Sequence, residues 1–207
     1  RIGVKESTVR DAMAAAFFHD EEGAVKKIQD VIDRSNDLAA VFDVVRDGKI
    51  DELEKIHLQV GKPVKVMLAQ KVANISEAFA AVGKPCAIEY KYDGFRLVIH
   101  KKSDDIKLFT RRLENVTKQF PEVAEYVKKY VKGESFILDS EAVGFDRKTR
   151  EYKPFQEISQ RIRRKYDIEA LKEQLPVEIN VFDILYYNGK SLLKEPFEKR
   201  TSLIKKI

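Results

Sequence analysis

Ala87-Ile88-Glu89-Tyr90-Lys91-Tyr92-Asp93-Gly94-Phe95-Arg96-Leu97-Val98-Ile99-His100 holds two alternating runs separated by Asp93-Gly94. Successive side chains of a strand point to opposite faces, so the first run, Ala87 to Tyr92, sends Glu89 and Lys91 one way, with Asp93 following, and Ile88, Tyr90 and Tyr92 the other. Asp-Gly favours the tight turn that joins antiparallel strands, which predicts a hairpin and folds Arg96 back near Lys91. Working outward, alternation recurs in Ile106 to Arg111, Phe136 to Phe145 and Glu178 to Tyr187. Helical signals fall between them: Pro121 to about Val131 with a stop at Gly133, Phe155 to Tyr166, and Phe197 onward. The class is α+β, with a mixed or antiparallel sheet.

Upstream, residues 1 to about 60 read as helices throughout. Ser7 is placed to cap a helix through Phe18, and apolar residues recur at helical spacing over Val25 to Ile32 and Leu38 to Val45. Asp47-Gly48 is a stop, Asp51 a further cap, and Gly61 with Pro63 marks a linker. The expected division is therefore 1–60, all-helical, and 61–207, α+β. The 207 residues carry a formal net charge of +5, which suits a protein that meets polyanions. One cysteine, Cys86, excludes an internal disulfide and a Cys-rich zinc site, and reads as a small buried apolar residue. No apolar run is long enough to span a bilayer and no signal-peptide pattern opens the chain, so the expected location is cytoplasmic. A first residue other than Met and a last residue, Ile207, inside a helical pattern suggest a fragment.

Chemistry concentrates in a few places. Lysine attacks only as the neutral amine, held at pH 7 by roughly one ordinary lysine in a few thousand, and nearby positive charge or metal raises that fraction. Lys91 beside Arg96 fits that need, although a polar hairpin face with scattered ion pairs is the plain alternative. Alternation sets Asp139 and Glu141 on one face, as hard oxygen donors for Mg²⁺ or acceptors for a ribose hydroxyl, or simply as a solvated face. Arg111 and Arg112 end a strand where a guanidinium fork meets phosphate. Phe182 offers a π face to a base, with core packing the more ordinary role. Arg161, Arg163, Arg164 and Lys165 form a basic run that meets a nucleic-acid backbone or else faces solvent. Gly189-Lys190-Ser191 lacks the upstream glycine of a phosphate loop, and His19, His57 and His100 are read as structural or surface residues.

In their order along the chain these segments resemble the nucleotidyltransferase motifs of ATP-dependent DNA ligases of the archaeal and eukaryotic type. Glu89 to Arg96 is similar to the lysine motif, Phe109-Thr110-Arg111-Arg112-Leu113-Glu114-Asn115-Val116-Thr117 to the second, and Ile137-Leu138-Asp139-Ser140-Glu141-Ala142-Val143 to the third. Val181 to Gly189 resembles the next, while Pro154-Phe155-Gln156-Glu157 and Lys62 to Ala69 resemble flanking segments. Arg1-Ile2-Gly3-Val4 with Ser7-Thr8-Val9 resembles the end of the helical DNA-binding domain that precedes catalysis in that family.

The resemblance implies that 61–207 is the N-terminal part of an adenylation domain, incomplete at its C-terminus, and that Lys91 attacks the α-phosphate of ATP to give lysyl-AMP. It implies Glu89 near adenine, Arg96 and Glu141 at the ribose, Glu141 also near Mg²⁺, Arg111 at a phosphate, and Phe182 stacked on adenine. It further implies a monomer acting on nicked duplex DNA in replication, repair and recombination, away from membranes, with a sliding clamp as a candidate partner. The family's later lysine-bearing motifs and OB-fold domain do not follow Phe182 here, so this polypeptide is expected to ligate poorly. The competing readings are an RNA ligase or mRNA-capping-type nucleotidyltransferase, which lacks the helical front, and a non-catalytic DNA-binding module.

Overall fold

The computed structural model describes residues 3–19, 22–35, 37–48, 50–65, 69–164 and 166–207. Arg1 and Ile2 of the front segment, Val66 to Leu68 of the segment before α4, Lys165 of the basic run and the side chain of Asp51 lie outside the described residues.

The chain opens with α1 (Glu6–Phe18), α2 (Ala24–Ser35), α3 (Leu38–Arg46) and a 3-10 turn (Ile50–Lys55). Met13, Phe18, Ile28, Ile32, Val41, Val45 and Leu53 form their common core, the spacing that lets one stripe of each helix face its neighbours. Ser7 does not cap α1: the helix has already begun at Glu6, so Ser7 lies inside its first turn and Lys5 takes the cap position. Asp37 does cap α3, accepting from the Ala40 N–H at 3.0 Å. Arg34 on α2 donates to the carbonyls of Leu53 at 2.6 Å and Ile56 at 3.1 Å, satisfying acceptors that the short 3-10 turn leaves open.

The Gly61-Pro63 segment is docked rather than loose. Gly61 turns at φ 94 and its N–H donates to His100 Nδ1 at 2.9 Å, while Leu58 and Val64 pack with Val98, Phe109 and Ile137. Lys62 pairs with Asp37 and Lys65 with Glu6, which ties the segment back to the helices. Next comes α4 (Ile75–Val82), which is not among the expected helices although Ile75, Ala78, Phe79 and Val82 fall at helical spacing. Its signal was a reciprocal cap: Asn74 accepts from the Glu77 N–H, and the Glu77 carboxylate accepts from the Ala73 N–H.

The larger unit is one sheet with β1 (Phe95–Lys102), β2 (Asp105–Thr110), β3 (Ser135–Phe145), β4 (Tyr152–Lys153), β5 (Val177–Tyr187) and β6 (Lys190–Ser191). The strand order is β2-β1-β3-β5-β6, with β4 on β3, and every described pairing is antiparallel. The other elements are α5 (Pro121–Tyr130), α6 (Phe155–Arg163), α7 (Ile168–Gln174) and α8 (Phe197–Ile204). Phe95, Leu97, Ile99, Leu108, Phe136 and Leu138 turn one face of the sheet into a core shared with Phe120, Val123 and Val127 from the α5 region and Ile158 from α6. Alternation sends Arg96, Val98, Ile137, Asp139 and Glu141 to the opposite face. Among the described residues no helix is long and apolar enough to cross a membrane.

Several sequence expectations fail here. Ala87 to Tyr92 is not a strand, because no neighbouring strand among the described residues bonds to it; Ile88 is 89% and Tyr90 88% exposed. Alternation alone makes an extended run plausible, but a strand needs a partner to satisfy its backbone. Cys86 shares the exposure of that run and is not buried. The basic run is also divided. Arg161 is buried, with Nη1 donating to Glu122 Oε1 at 2.6 Å and Nη2 to Glu122 Oε2 at 3.1 Å, so it pins α6 to α5 and faces no solvent. Arg163 and Arg164 are exposed, and α6 stops at Arg163 rather than Tyr166 because Arg164 takes an extended conformation.

Candidate active site

The lysine segment is set by a glycine, though not by the turn expected of it. Gly94 does not adopt a positive φ; instead it leaves room for β3. A Cβ at Gly94 would collide with the Ala142 carbonyl and stand 3.0 Å from Glu141 Cγ. The missing side chain lets the backbone that carries Lys91 press against the Glu141 end of β3. A backbone hydrogen bond from Gly94 reaches the Glu141 carboxyl, and the Lys91 charge is felt there as well.

From that contact the antiparallel register sets the rest. Arg96 pairs with Glu141 across the β1–β3 ladder, and Val98 with Asp139. The Arg96 guanidinium forks onto Asp139, with Nε donating to Oδ1 at 2.7 Å and Nη2 to Oδ2. Asp139 is nearly sealed while Arg96 remains one-quarter exposed. One step beyond the Leu97–Thr110 pair, Arg111 follows the end of β2, exposed and without a hydrogen bond or ion pair to another described residue.

Phe182 reaches this face through a bulge. Asp139 pairs with Asp183 and Ser140 with Val181, which leaves Phe182 as the extra residue of β5. An extra residue breaks strict alternation and re-aims a side chain. The Phe182 ring lies 5.4 Å from the Arg96 guanidinium carbon, a cation–π contact. The ring is half-buried, so packing and an open π face coexist there.

The acids respond to this enclosure. Asp139 is held above the usual carboxylate range by burial, against the opposing pull of Arg96, with the Asp183 charge adding to the rise. Glu141 is raised by burial while Lys91 and Arg96 oppose the shift. Glu89, open to solvent on its outer side, is raised by desolvation and then by the Asp183 charge. Desolvation disfavours a carboxylate's charged form, so these groups are poised to be relieved by a cation or a hydrogen-bond donor.

Lys91, Glu89, Arg96, Glu141 and Phe182 thus gather on one face of the sheet, with Arg111 following the end of β2. Asp139 was recognised in sequence only as half of an acid pair; the structure makes it the partner of Arg96. Asp183 and Arg200 were missed. Arg200 on α8 forks onto Asp183, with Nε to Oδ1 at 2.7 Å and Nη2 to Oδ2 at 3.1 Å. Asp183 sat inside a quoted motif, but nothing local to the sequence connected it to an arginine seventeen residues later. Among the described residues no group of three or more His, Cys, Asp and Glu side chains converges as a metal cluster.

This ordered set can be compared with known proteins. The ATP dependent DNA ligase domain family matches residues 66–207, more than half of the chain. The chain belongs to the ATP-dependent DNA ligase family. A DNA ligase of Nanoarchaeum equitans is 47% identical over 207 residues, covering 100% of this chain and 36% of that protein. One from Saccharolobus solfataricus is 38% identical over 211 residues, covering 100% of this chain and 34% of that protein. The chain therefore spans about a third of the length of the curated relatives it matches. A solved mycobacterial DNA ligase D complexed with ATP and MES is similar over 57% of this chain and 35% of its own, at 26% identity and TM-score 0.44.

Proposed function

We propose that this chain carries the adenylation chemistry of a nick-sealing, ATP-dependent DNA ligase, with Lys91 as the nucleophile. The observation that carries this reading is the seating of the Lys91 segment against Glu141 through Gly94, on the face that also presents Arg96 and Phe182. Lys91 Nζ attacks the α-phosphorus of ATP. A P–N bond forms, the P–O bond to the β-phosphate breaks, and pyrophosphate leaves. Cationic Arg111 favours the negative charge that develops at phosphate, Phe182 supplies the π face for adenine, and Arg96 and Glu141 hold the ribose, Glu141 accepting from a hydroxyl. Glu89 lies toward the base. AMP then passes to a DNA 5′-phosphate, and the 3′-hydroxyl across the nick displaces it, so two phosphoryl transfers replace one harder step.

Mg²⁺ would be held through the Glu141 carboxylate, a hard oxygen donor of the kind it prefers. When bound it offsets phosphate charge. The same reading divides the chain into 1–60, the end of a DNA-binding domain, and 61–207, part of the adenylation domain.

A nick-sealing assay on duplexes with DNA or RNA ends tests the assignment. The expected result is ATP-dependent sealing of the DNA nick by a version extended past Ile207 and weak sealing by the 207-residue chain. Sealing confined to RNA ends overturns the DNA assignment in favour of an RNA ligase, and vigorous ligation by the 207-residue chain contradicts the expected deficiency.

A further inference from the structure

The ion pair between α8 and β5 lies outside the sequence motifs yet bears directly on the base-stacking residue. Asp183 is the neighbour of Phe182 at the bulge. Its carboxylate accepts the Arg200 fork and also the N–H of Ile184 at 2.8 Å, so the backbone just after the bulge is fixed from two directions. Arg200 is itself held: Nη1 donates to the Glu195 carbonyl at 2.5 Å, and its guanidinium carbon lies 5.3 Å from the centre of the Phe197 ring. A fork anchored at both ends fixes direction as well as distance, which a point charge does not.

Charge favours the same assignment. Glu89, Asp139, Glu141 and Asp183 bring four carboxylates to this end of the sheet, against Lys91 and Arg96. Arg200 offsets Asp183, the acid whose field both Glu89 and Asp139 feel. Without it an unpaired negative charge would stand beside the position a nucleotide triphosphate must approach.

We propose that Arg200 is a positioning residue for nucleotide binding: through its fork on Asp183 it holds the β5 bulge that turns Phe182 onto the face of Lys91. The inference rests on the adenylation reading above. It assigns α8 a role in the affinity for ATP and none in the chemical step, because Arg200 reaches the site only through Asp183.

The test is a titration of ATP against the single-turnover rate of AMP transfer to Lys91 in the full-length protein, for R200Q, R200K, F182A and the double variant R200Q/F182A. The expected result for R200Q is a rise of about tenfold in apparent KM, one decade being an ordinary coupling, with the saturated rate within about twofold of wild type. R200K, which keeps the charge and loses the fork, recovers less than half of that loss. In the F182A background R200Q adds nothing further, since the residue it positions is gone. Thermal unfolding of each variant reports folding separately. A lowered melting temperature with unchanged KM overturns the proposal in favour of simple packing of α8. So does a penalty in R200Q/F182A equal to the sum of the two single penalties. If the wild type neither takes AMP on Lys91 nor binds ATP, the adenylation reading itself falls; if it is labelled and R200Q titrates identically, that reading stands and this inference fails.

Discussion

Two arginine–carboxylate forks lie on opposite faces of the same sheet, and they have different work. Arg161 and Glu122 are sealed, with side chains 1% and 3% exposed. Glu122 and the carbonyls of Leu175 at 2.9 Å and Gln119 at 2.8 Å take the two Nη groups of Arg161, and the Phe120 ring lies 4.4 Å from its guanidinium carbon, while Nε has no hydrogen-bond partner among the described residues. Arg96 and Asp139 have the same chemistry, but Arg96 is one-quarter exposed beside Phe182, with Glu141 opposite it in the register. A pair sealed in the core fixes structure. A pair with one open side and raised acids around it keeps interaction capacity for something that arrives.

The sharpest way to break this contrast is R161M. It strands the Glu122 carboxylate in the core, and removing one partner of a buried pair costs about 3–5 kcal/mol. Urea unfolding should show that loss, while AMP transfer from the folded fraction stays at the wild-type rate. A loss of transfer without a loss of stability would reverse the roles assigned to the two forks. R96M is the converse. Transfer to Lys91 should fall about 100-fold, equivalent to about 2.7 kcal/mol at roughly 1.4 kcal/mol per decade, with a smaller change in stability. Unchanged transfer would make Arg96 as structural as Arg161.

His100 sharpens the comparison, because it is a buried polar group on the site's own face with a structural duty. Burial, and then the Lys107 charge, pushes its imidazole down to about 4. The Gly61 N–H requires an unprotonated Nδ1, so the neutral ring is the one that fits. A folded value below the unfolded one means that the unfolded chain binds the extra proton. His100 therefore contributes stability that is complete above about pH 6.5 and is lost as pH falls toward 4. The linkage amounts to about 2 kcal/mol between pH 7 and pH 5. H100Q should flatten that part of the stability profile relative to wild type; an unchanged slope would detach His100 from the docked segment.

The smallest effect expected is that of R163Q/R164Q, which removes exposed charges next to buried Arg161. Stability should change by less than about 0.5 kcal/mol. The salt dependence of DNA binding should lose a slope of about 2, near one per phosphate contact. A large stability loss would mean that the basic run is structural throughout.

Much of the site was readable because strand period and motif order act locally. Asp139 and Glu141 share a face by alternation, and Glu89, Lys91 and Arg96 stand within eight residues of one another. The hairpin was misread because Asp-Gly signals two things, a positive φ or a close approach, and only β3 decides between them. Alternation could not disclose that Ala87 to Tyr92 is unpaired, since a run carries no mark of its neighbour. Phe182 owes its direction to a bulge opposite Asp139 and Ser140, far away in sequence, and Arg161 owes its burial to Glu122 on another helix. Long-range pairings of this kind leave no local signature. The α4 helix did leave local marks, in the Asn74 and Glu77 cap and in the spacing of Ile75, Ala78, Phe79 and Val82, although none of that stripe is buried.

The adenylation reading stands or falls on Lys91 as the covalent carrier of AMP. Intact-mass and peptide mass spectrometry before and after ATP with Mg²⁺ tests it, on the chain and on a version extended past Ile207. One AMP is expected, mapped to Lys91 in the extended version and abolished by K91A. No adduct in either version, or an adduct that persists in K91A, would contradict it and leave a site that binds phosphate without bonding to it.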